Sequence, residues 1–565
     1  MNFLFEYLIV FSHIYIITIF ISGCGYLFKK IIFKQDEKNL FESNIIWGFI
    51  PISFIALVFN FFLPLSITVN SIIFISLFLV FFIKKYFDIS LKLFLINSFI
   101  VTFLAFILLI HSNVNNPDAL LYHLPFSKIL NEHKILVGVA NVHHRFAHIS
   151  IFQYISSFFY IFVLDKDGLL IPTSILGSSF LIYFLKEFKI QFKSLNTRLN
   201  SIIIFLILIV SIYSFSRYSN YGNDAPVHLY YYLMSAYLFK YNFDFKNNLL
   251  IKQISMISLF TFFLKPFYIF SLLVPLFFLI LNKNFKIFFK SSFFLFSTVF
   301  SIAWFLKNFL ISGCLIYPLS FTCMKHIDWT NTQVIKHQSI QGEAMSKSWQ
   351  DRTVNHLDMS EFNQNFEWLT TWLNNHFKVV VEKFLPIVIL LIVFSVIVYL
   401  LKIIQKKKFS LSNNLPIYIF LFINFIGSTM WFLKFPIYRY GQSYLFCFFL
   451  LIFYIFLFRK INVSFLLKYK NFFNFIIILA FTSLFIKNFN RISEKINDSV
   501  LPHMYDDIIH SNITTKFINY KGEFTHYIKE DGSLCGYSIS PCSEIKYDKL
   551  RLKKKYGYKI YFIDK

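Results

Sequence analysis

The sequence predicts an all-α polytopic membrane protein of about 12–14 transmembrane helices, with large outer loops and a small C-terminal α/β or β-rich soluble domain. Three observations predict it. Of 565 residues 57% are hydrophobic and 80 are Phe, and the mean hydropathy is +0.60; a soluble domain of this length has too little interior to hide that apolar surface. Apolar runs of roughly 16–25 residues recur along the chain, each near the length that crosses a hydrocarbon core. After Phe489 the character changes, and polar, Tyr-rich alternating stretches such as Tyr558-Lys559-Ile560-Tyr561-Phe562-Ile563 take over.

The runs fall at roughly 3–28, 44–61, 67–83, 91–110, 168–186, 199–216, 225–241, 249–264, 266–281, 291–311, 379–401, 415–432, 443–458 and 472–487. The first lacks a small-residue cleavage site and is read as retained. Phe at this frequency is lipid-facing or packing material, so no aromatic binding box is read from it.

Charge orients the runs. A net charge of +25 would suit nucleic acid if the basic residues formed a patch. They punctuate the runs instead: Lys29, Lys30, Lys34 and Lys38; Lys84 and Lys85; Lys186, Lys189, Lys193 and Arg198; Lys283, Lys286 and Lys290; Lys402, Lys406, Lys407 and Lys408; Arg459, Lys460, Lys468 and Lys470. With the N-terminus outside, the positive-inside rule puts every cluster in the cytoplasm. The loops 111–167 and 312–378 and the tail 488–565 then lie outside. Residues 1–487 form the membrane domain, and 488–565 form a small extracytoplasmic domain. The segment Ile149–Leu164 is apolar enough to span, which would invert everything after it. It is read as a helix at the outer interface or packed within the protein.

The tail has turns at Asp531-Gly532 and Tyr556-Gly557. It is marginal for folding alone, so a disulfide or docking against the membrane part is expected. Cys314/Cys323 and Cys535/Cys542 are spaced to close short loops in an oxidising compartment, with free thiols as the alternative. The tail pair is expected to be bonded. There is no zinc-ligand spacing, Walker loop or GxGxxG fingerprint, which argues against an ATP-driven pump.

Five constellations carry candidate chemistry. Asp118, in Asn116-Pro117-Asp118-Ala119-Leu120-Leu121-Tyr122-His123-Leu124-Pro125, opens a polar loop with His133, His143, His144, Arg145 and His148. A carboxylate just past a span can ligate a cation or take a proton; the structural reading is a helix cap. Asp224, in Asn223-Asp224-Ala225-Pro226, opens a later run on the same face and carries the same two readings. Lys265, in Leu264-Lys265-Pro266, either snorkels to the interface or holds a phosphate. Arg439, between Tyr438 and Tyr440, is either an aromatic-belt anchor or a phosphate grip. Lys307-Asn308, Ser312-Gly313 and Tyr317-Pro318 lead into the long loop 312–378, and a loop of that length between spans is usually functional.

The order of these motifs resembles the GT-C superfamily of integral membrane glycosyltransferases, and most closely a poorly characterised bacterial branch of many-span envelope proteins. That branch is similar in the Tyr-His-Leu stretch, in Gly138, Ala140, Asn141 and Arg145, and in a tail with Cys535, Pro541 and Cys542. The likeness covers most of the chain from about Leu91. It implies a polyprenyl-phosphate-linked sugar donor and a glycan, lipid or protein acceptor at the outer face of a bacterial inner membrane, with membrane lipids as neighbours and no nucleic acid. Asp118, Asp224 and His123 would be catalytic. Tyr122, Arg145, Lys265, Arg439 and His143 would bind substrate. A divalent cation, Mg or Mn, would sit on Asp118 and Asp224, although this chain lacks the paired acidic motif of several such families because Pro117 and Ala119 flank Asp118. The alternatives are a flippase or exporter of lipid-linked saccharides and an O-antigen polymerase or ligase type. A transporter predicts internal repeats and matching broken helices, and neither is visible.

Overall fold

A computed structural model describes residues 3–34, 40–83, 91–111, 118–148, 150–195, 197–219, 221–283, 288–351, 357–404, 415–456, 469–495, 515–520, 524–529, 535–537, 540–543 and 549–564. The Asn116-Pro117 start of the first motif, the Asp531-Gly532 turn and the basic residues at 38, 84–85, 286, 406–408, 459–460 and 468 lie outside the described residues.

The chain is a helical membrane protein. Its helices are α1 (Phe3–Phe28), α2 (Phe41–Phe62), α3 (Ile67–Ile83), α4 (Leu91–Leu109), α5 (Leu124–Glu132), α6 (Ile151–Phe158), α7 (Ile171–Lys193), α8 (Arg198–Tyr213), α9 (Asp224–Lys240), α10 (Asn248–Leu264), α11 (Leu273–Asn282), α12 (Ser292–Ser312), α13 (Thr332–Ser346), α14 (Met359–Phe362), α15 (Leu369–Trp372), α16 (Lys378–Ile404), α17 (Leu415–Lys434), α18 (Tyr438–Phe456) and α19 (Lys470–Lys495). Every predicted run contains helix. Seven helical stretches among the described residues are long and apolar enough to cross a membrane: 7–33, 41–62, 92–109, 292–312, 369–396, 415–434 and 470–494. The other predicted runs form shorter or less apolar helices. The run predicted at 266–281 is not one straight helix. A 3₁₀ turn over Pro266–Leu272, kinked at Tyr268, precedes α11, because a proline directly after Lys265 removes a backbone donor.

Segment 149–164 resolves into α6, whose eight residues are all buried. At 1.5 Å per residue it is about 12 Å long, too short to cross a ~30 Å core. It packs against α2 and α5, as one of the two expected placements required.

Two buried carboxylates in the bundle are paired, as a low-dielectric interior demands. Glu42 on α2 meets Lys186 on α7 at 2.7 Å, and Glu187 meets Lys240 on α9 at 3.2 Å. Helices α17 and α18 form a close hairpin. A Cβ on Gly427 would meet the Tyr444 ring at 2.5 Å, and one on Gly441 would meet the Trp431 ring at 2.4 Å. Glycine there lets the two helices approach.

The tail contains two antiparallel hairpins: β1 (Thr515–Tyr520) with β2 (Phe524–Lys529), and β3 (Leu550–Lys555) with β4 (Tyr558–Ile563). The membrane-side boundary predicted at 488 falls inside α19, which runs on to Lys495. The second hairpin docks on the segment that follows α5. Val137 bridges Ile560 in parallel, with Val137 N–H donating to Lys559 O at 3.0 Å and Tyr561 N–H to Val137 O at 2.8 Å. Gly138 has φ +68°, and a Cβ there would lie 2.1 Å from Tyr561 O. Both the close approach and the left-handed backbone favour glycine. Cys535–Cys542 and Cys314–Cys323 are disulfides. The tail loop closed by the first holds the segment that follows Asp118: Gly536 N–H donates to Leu120 O at 2.8 Å, and Tyr537 Oη to Asn131 Oδ1 at 3.1 Å.

Candidate functional site

Three chain reversals meet at one end of the bundle. In the first, Asp118 precedes a π-helical turn over Ala119–His123 that runs straight into α5. In the second, Asp224 is the first helical residue of α9. In the third, Pro436 precedes α18, and Arg439 is that helix's second residue. Indole N–H donors pin the third turn: Trp372 Nε1 to Pro436 O at 2.8 Å and Trp431 Nε1 to Ile437 O at 2.7 Å. Lys265 joins from the end of α10. Proline at 266 disfavours a helical residue before it, and Lys265 is extended at φ −155°, ψ 110°.

The two carboxylates do not cap their helices. Asp118 makes no side-chain capping bond, and Asp224 turns to cations instead. Arg439 spans both, with Nη1 2.8 Å from Asp118 Oδ2 and Nε 3.6 Å from Asp224 Oδ2. Lys265 Nζ is 2.5 Å from Asp224 Oδ1, and Arg145 Nη1 is 3.5 Å from Asp118 Oδ1. Two carboxylates thus face three cations, leaving the cluster with a net charge of +1. The side chains stay open to solvent: Asp118 is 28% exposed, Asp224 32% and Arg439 46%. Tyr440 forms a wall under the cations, with Lys265 Nζ 3.5 Å and the Arg439 guanidinium 5.3 Å from its ring centre. Tyr122 does the same for Arg145 at 5.4 Å. Burial, reinforced by Asp118, pushes the Tyr122 hydroxyl well above its usual range, so it serves as a neutral donor.

His123 sits behind this front, buried against Tyr221 with its ring 4.1 Å from Tyr122. Its tautomer follows from its partner. Gln153 Oε1 accepts Ser150 N–H in the α6 capping box, so Gln153 Nε2 donates to His123 Nδ1 at 2.8 Å, and the ring proton resides on Nε2. Burial, only partly opposed by Asp118 and Asp224, lowers its pKa to about 4. His123 is therefore neutral near pH 7. His143 supports Arg145. Its Nδ1 accepts Arg145 N–H at 3.2 Å and its ring stacks on His144, so it shapes the turn that carries Arg145.

Of the residues singled out from sequence, Asp118, Asp224, Arg145, Lys265, Arg439 and Tyr122 come together, while His123 and His143 stand behind them. His228 was missed. It lies one turn after Asp224 on α9, donates from Nε2 to Arg439 O at 2.8 Å, and shares Nδ1 with Tyr268 and Ser443 at 3.1 Å each. The spacing Asp224-x-x-x-His228 puts both on one helical face and was the available signal.

The donor set does not fit a resident divalent cation. Both carboxylates are matched by basic side chains, and among the described residues no three His, Cys, Asp or Glu are placed to hold a metal ion together. A net positive, partly water-exposed cluster backed by aromatic faces suits an anion.

A family model described as a domain of unknown function (DUF8201) matches residues 7–446, which include the whole cluster. No curated protein and no solved structure matches the chain.

Proposed function

We propose, for a chain that belongs to the DUF8201 family, a membrane glycosyltransferase that moves a sugar from a polyprenyl-phosphate donor to an envelope acceptor at the outer face of a bacterial cytoplasmic membrane. The observation that carries this reading is Arg439 bridging Asp118 and Asp224, with Lys265 and Arg145 completing the cluster. Such a cluster holds basic residues ready for a phosphate and keeps a carboxylate beside them. The topology belongs to the proposal: helices beyond the seven long apolar ones complete a 12–14-span bundle, with the cluster and the tail outside.

In this mechanism the donor phosphate enters among Lys265, Arg439 and Arg145 and competes with the carboxylates for them. Asp118, released from its ion pairs, accepts the proton of the acceptor hydroxyl. The acceptor oxygen attacks C1 of the sugar, and the C1–O bond to the phosphate breaks with inversion. The electron pair leaves on the lipid phosphate, whose charge Lys265 and Arg439 stabilise. Asp224 keeps Lys265 and Arg439 oriented. His123, neutral and with its proton on Nε2, supports Tyr122 from behind.

The test is binding of polyprenyl monophosphate to the purified full-length protein, paired with the envelope glycan profile of a deletion strain complemented by variants. The reading expects saturable binding that Lys265→Met weakens, and loss of one glycan product in the deletion strain. Absence of binding together with an unchanged glycan profile would overturn it.

A further inference from the structure

The opposite end of the bundle carries a second site of different character. Helix α8 links the two ends, running from Arg198 at this one to Tyr213 near the Asp224 loop. Here the last turns of α7 and the first turns of α19 splay apart. The cleft between them holds about 480 Å³ and is lined by Phe188, Lys189, Phe192, Lys193, Lys470, Phe473, Asn474, Ile477 and Ile478. Its chemistry is graded along the helix axes. Lys189, Lys193 and Lys470 stand at the helix ends and are exposed. Phe473, Ile477 and Ile478 follow along α19, toward the middle of a helix apolar enough to cross a membrane. Phe188, Phe192 and Phe473 pack ring against ring, with centres 5.3–5.9 Å apart, as a firm floor.

The lysines are not explained by partners. Lys189 and Lys193 are four apart on one helical face, an arrangement in which like charges repel. None of the three ammonium groups forms an ion pair with the described residues, and no acidic side chain lines the cleft. The nearest carboxylate in sequence, Glu187, is buried and committed to Lys240. Lys470 also opens α19, whose first N–H groups favour an anion.

We propose that this cleft binds one anionic phospholipid, with its phosphate among Lys189, Lys193 and Lys470 and an acyl chain along Phe473, Ile477 and Ile478. The grading from cations to aromatic and aliphatic wall matches an amphiphile and not a free anion. The site does not depend on the catalytic reading, because the cluster at Asp118 lies at the other end of α8.

The experiment uses full-length protein in nanodiscs of phosphatidylcholine doped with phosphatidylglycerol, with retained lipid counted by native mass spectrometry after transfer to detergent. Wild type should retain one phosphatidylglycerol. Changing Lys189, Lys193 and Lys470 together to Gln should lower its affinity roughly fivefold per lysine, on the order of a hundredfold in all. Asn474→Trp, which fills the cleft without altering its charge, should lower retention with the lysines intact. Millimolar inorganic phosphate should not displace the lipid. Equal retention of phosphatidylcholine, undiminished retention by the triple variant or by Asn474→Trp, or displacement by inorganic phosphate would each overturn the proposal.

Discussion

Arg439 is the residue whose removal the geometry predicts most sharply. Its guanidinium touches both carboxylates, 2.8 Å from Asp118 and 3.6 Å from Asp224. Arg439→Met keeps much of the side-chain length and removes the charge, taking the cluster from net +1 to neutral. A charge-assisted hydrogen bond contributes about 1.5–3 kcal/mol, so losing one to a lipid phosphate should weaken polyprenyl phosphate binding on the order of 10- to 100-fold. The folding cost is smaller. At 46% exposure the ion pairs are screened by water and contribute about 0–1 kcal/mol. Arg439→Lys should recover part of the affinity, because it restores a charge and not the planar fork that reaches two carboxylates. The assay is equilibrium binding of polyprenyl monophosphate, read beside the unfolding temperature. Unchanged affinity in Arg439→Met, or a loss fully accounted for by unfolding, would refute the reasoning.

Further expectations concern what supports the cluster. Replacing Cys535 and Cys542 with Ser should cost about 2–4 kcal/mol in tail stability. It should also lower transfer, since the loop they close holds Leu120, two residues from Asp118, through Gly536; normal transfer with a loosened tail, seen by hydrogen exchange, would contradict that coupling. His123 has a folded pKa of about 4 against ~6.5 unfolded. The unfolded chain therefore binds the extra proton between those values, and stability is complete above pH ~6.5 and falls as the pH drops toward 4. His123→Gln should flatten that part of the stability–pH curve, and an identical curve would count against the buried neutral imidazole. His228→Ala removes the ring that holds the Arg439 carbonyl and should mimic a mild Arg439 defect that His228→Gln partly rescues; a defect of equal size in both variants would argue for a packing role alone.

The helical runs were legible because burial in lipid leaves long apolar stretches bounded by lysines. Segment 149–164 shows the limit of that signal. It is apolar enough to span by composition, yet α6 stops at Phe158, and the eight residues of that short helix serve protein packing. The cluster was legible because charged residues at helix starts and at a Lys-Pro break stand out between apolar runs. The helix-cap alternative for Asp118 and Asp224 could be judged only once their side-chain directions were visible. His228 and Gln153 escaped notice as single polar residues inside apolar helices, where only their partners across the bundle reveal a role. The docking of β4 on Val137 was not legible either, because the partners lie more than 400 residues apart and each is an ordinary apolar residue.

Asp118→Asn tests most directly whether Asp118 acts as a base beside a bound lipid phosphate. Removing the carboxylate frees Arg439 and Arg145 and takes a negative charge away from the phosphate, so the variant should bind polyprenyl monophosphate as tightly as wild type or more tightly. It should no longer transfer sugar: the glycan product restored by the wild-type chain in a deletion strain should be missing with the variant, at equal protein in the membrane. Transfer at the wild-type level by a folded Asp118→Asn protein, or loss of lipid phosphate binding in place of transfer, would contradict the account.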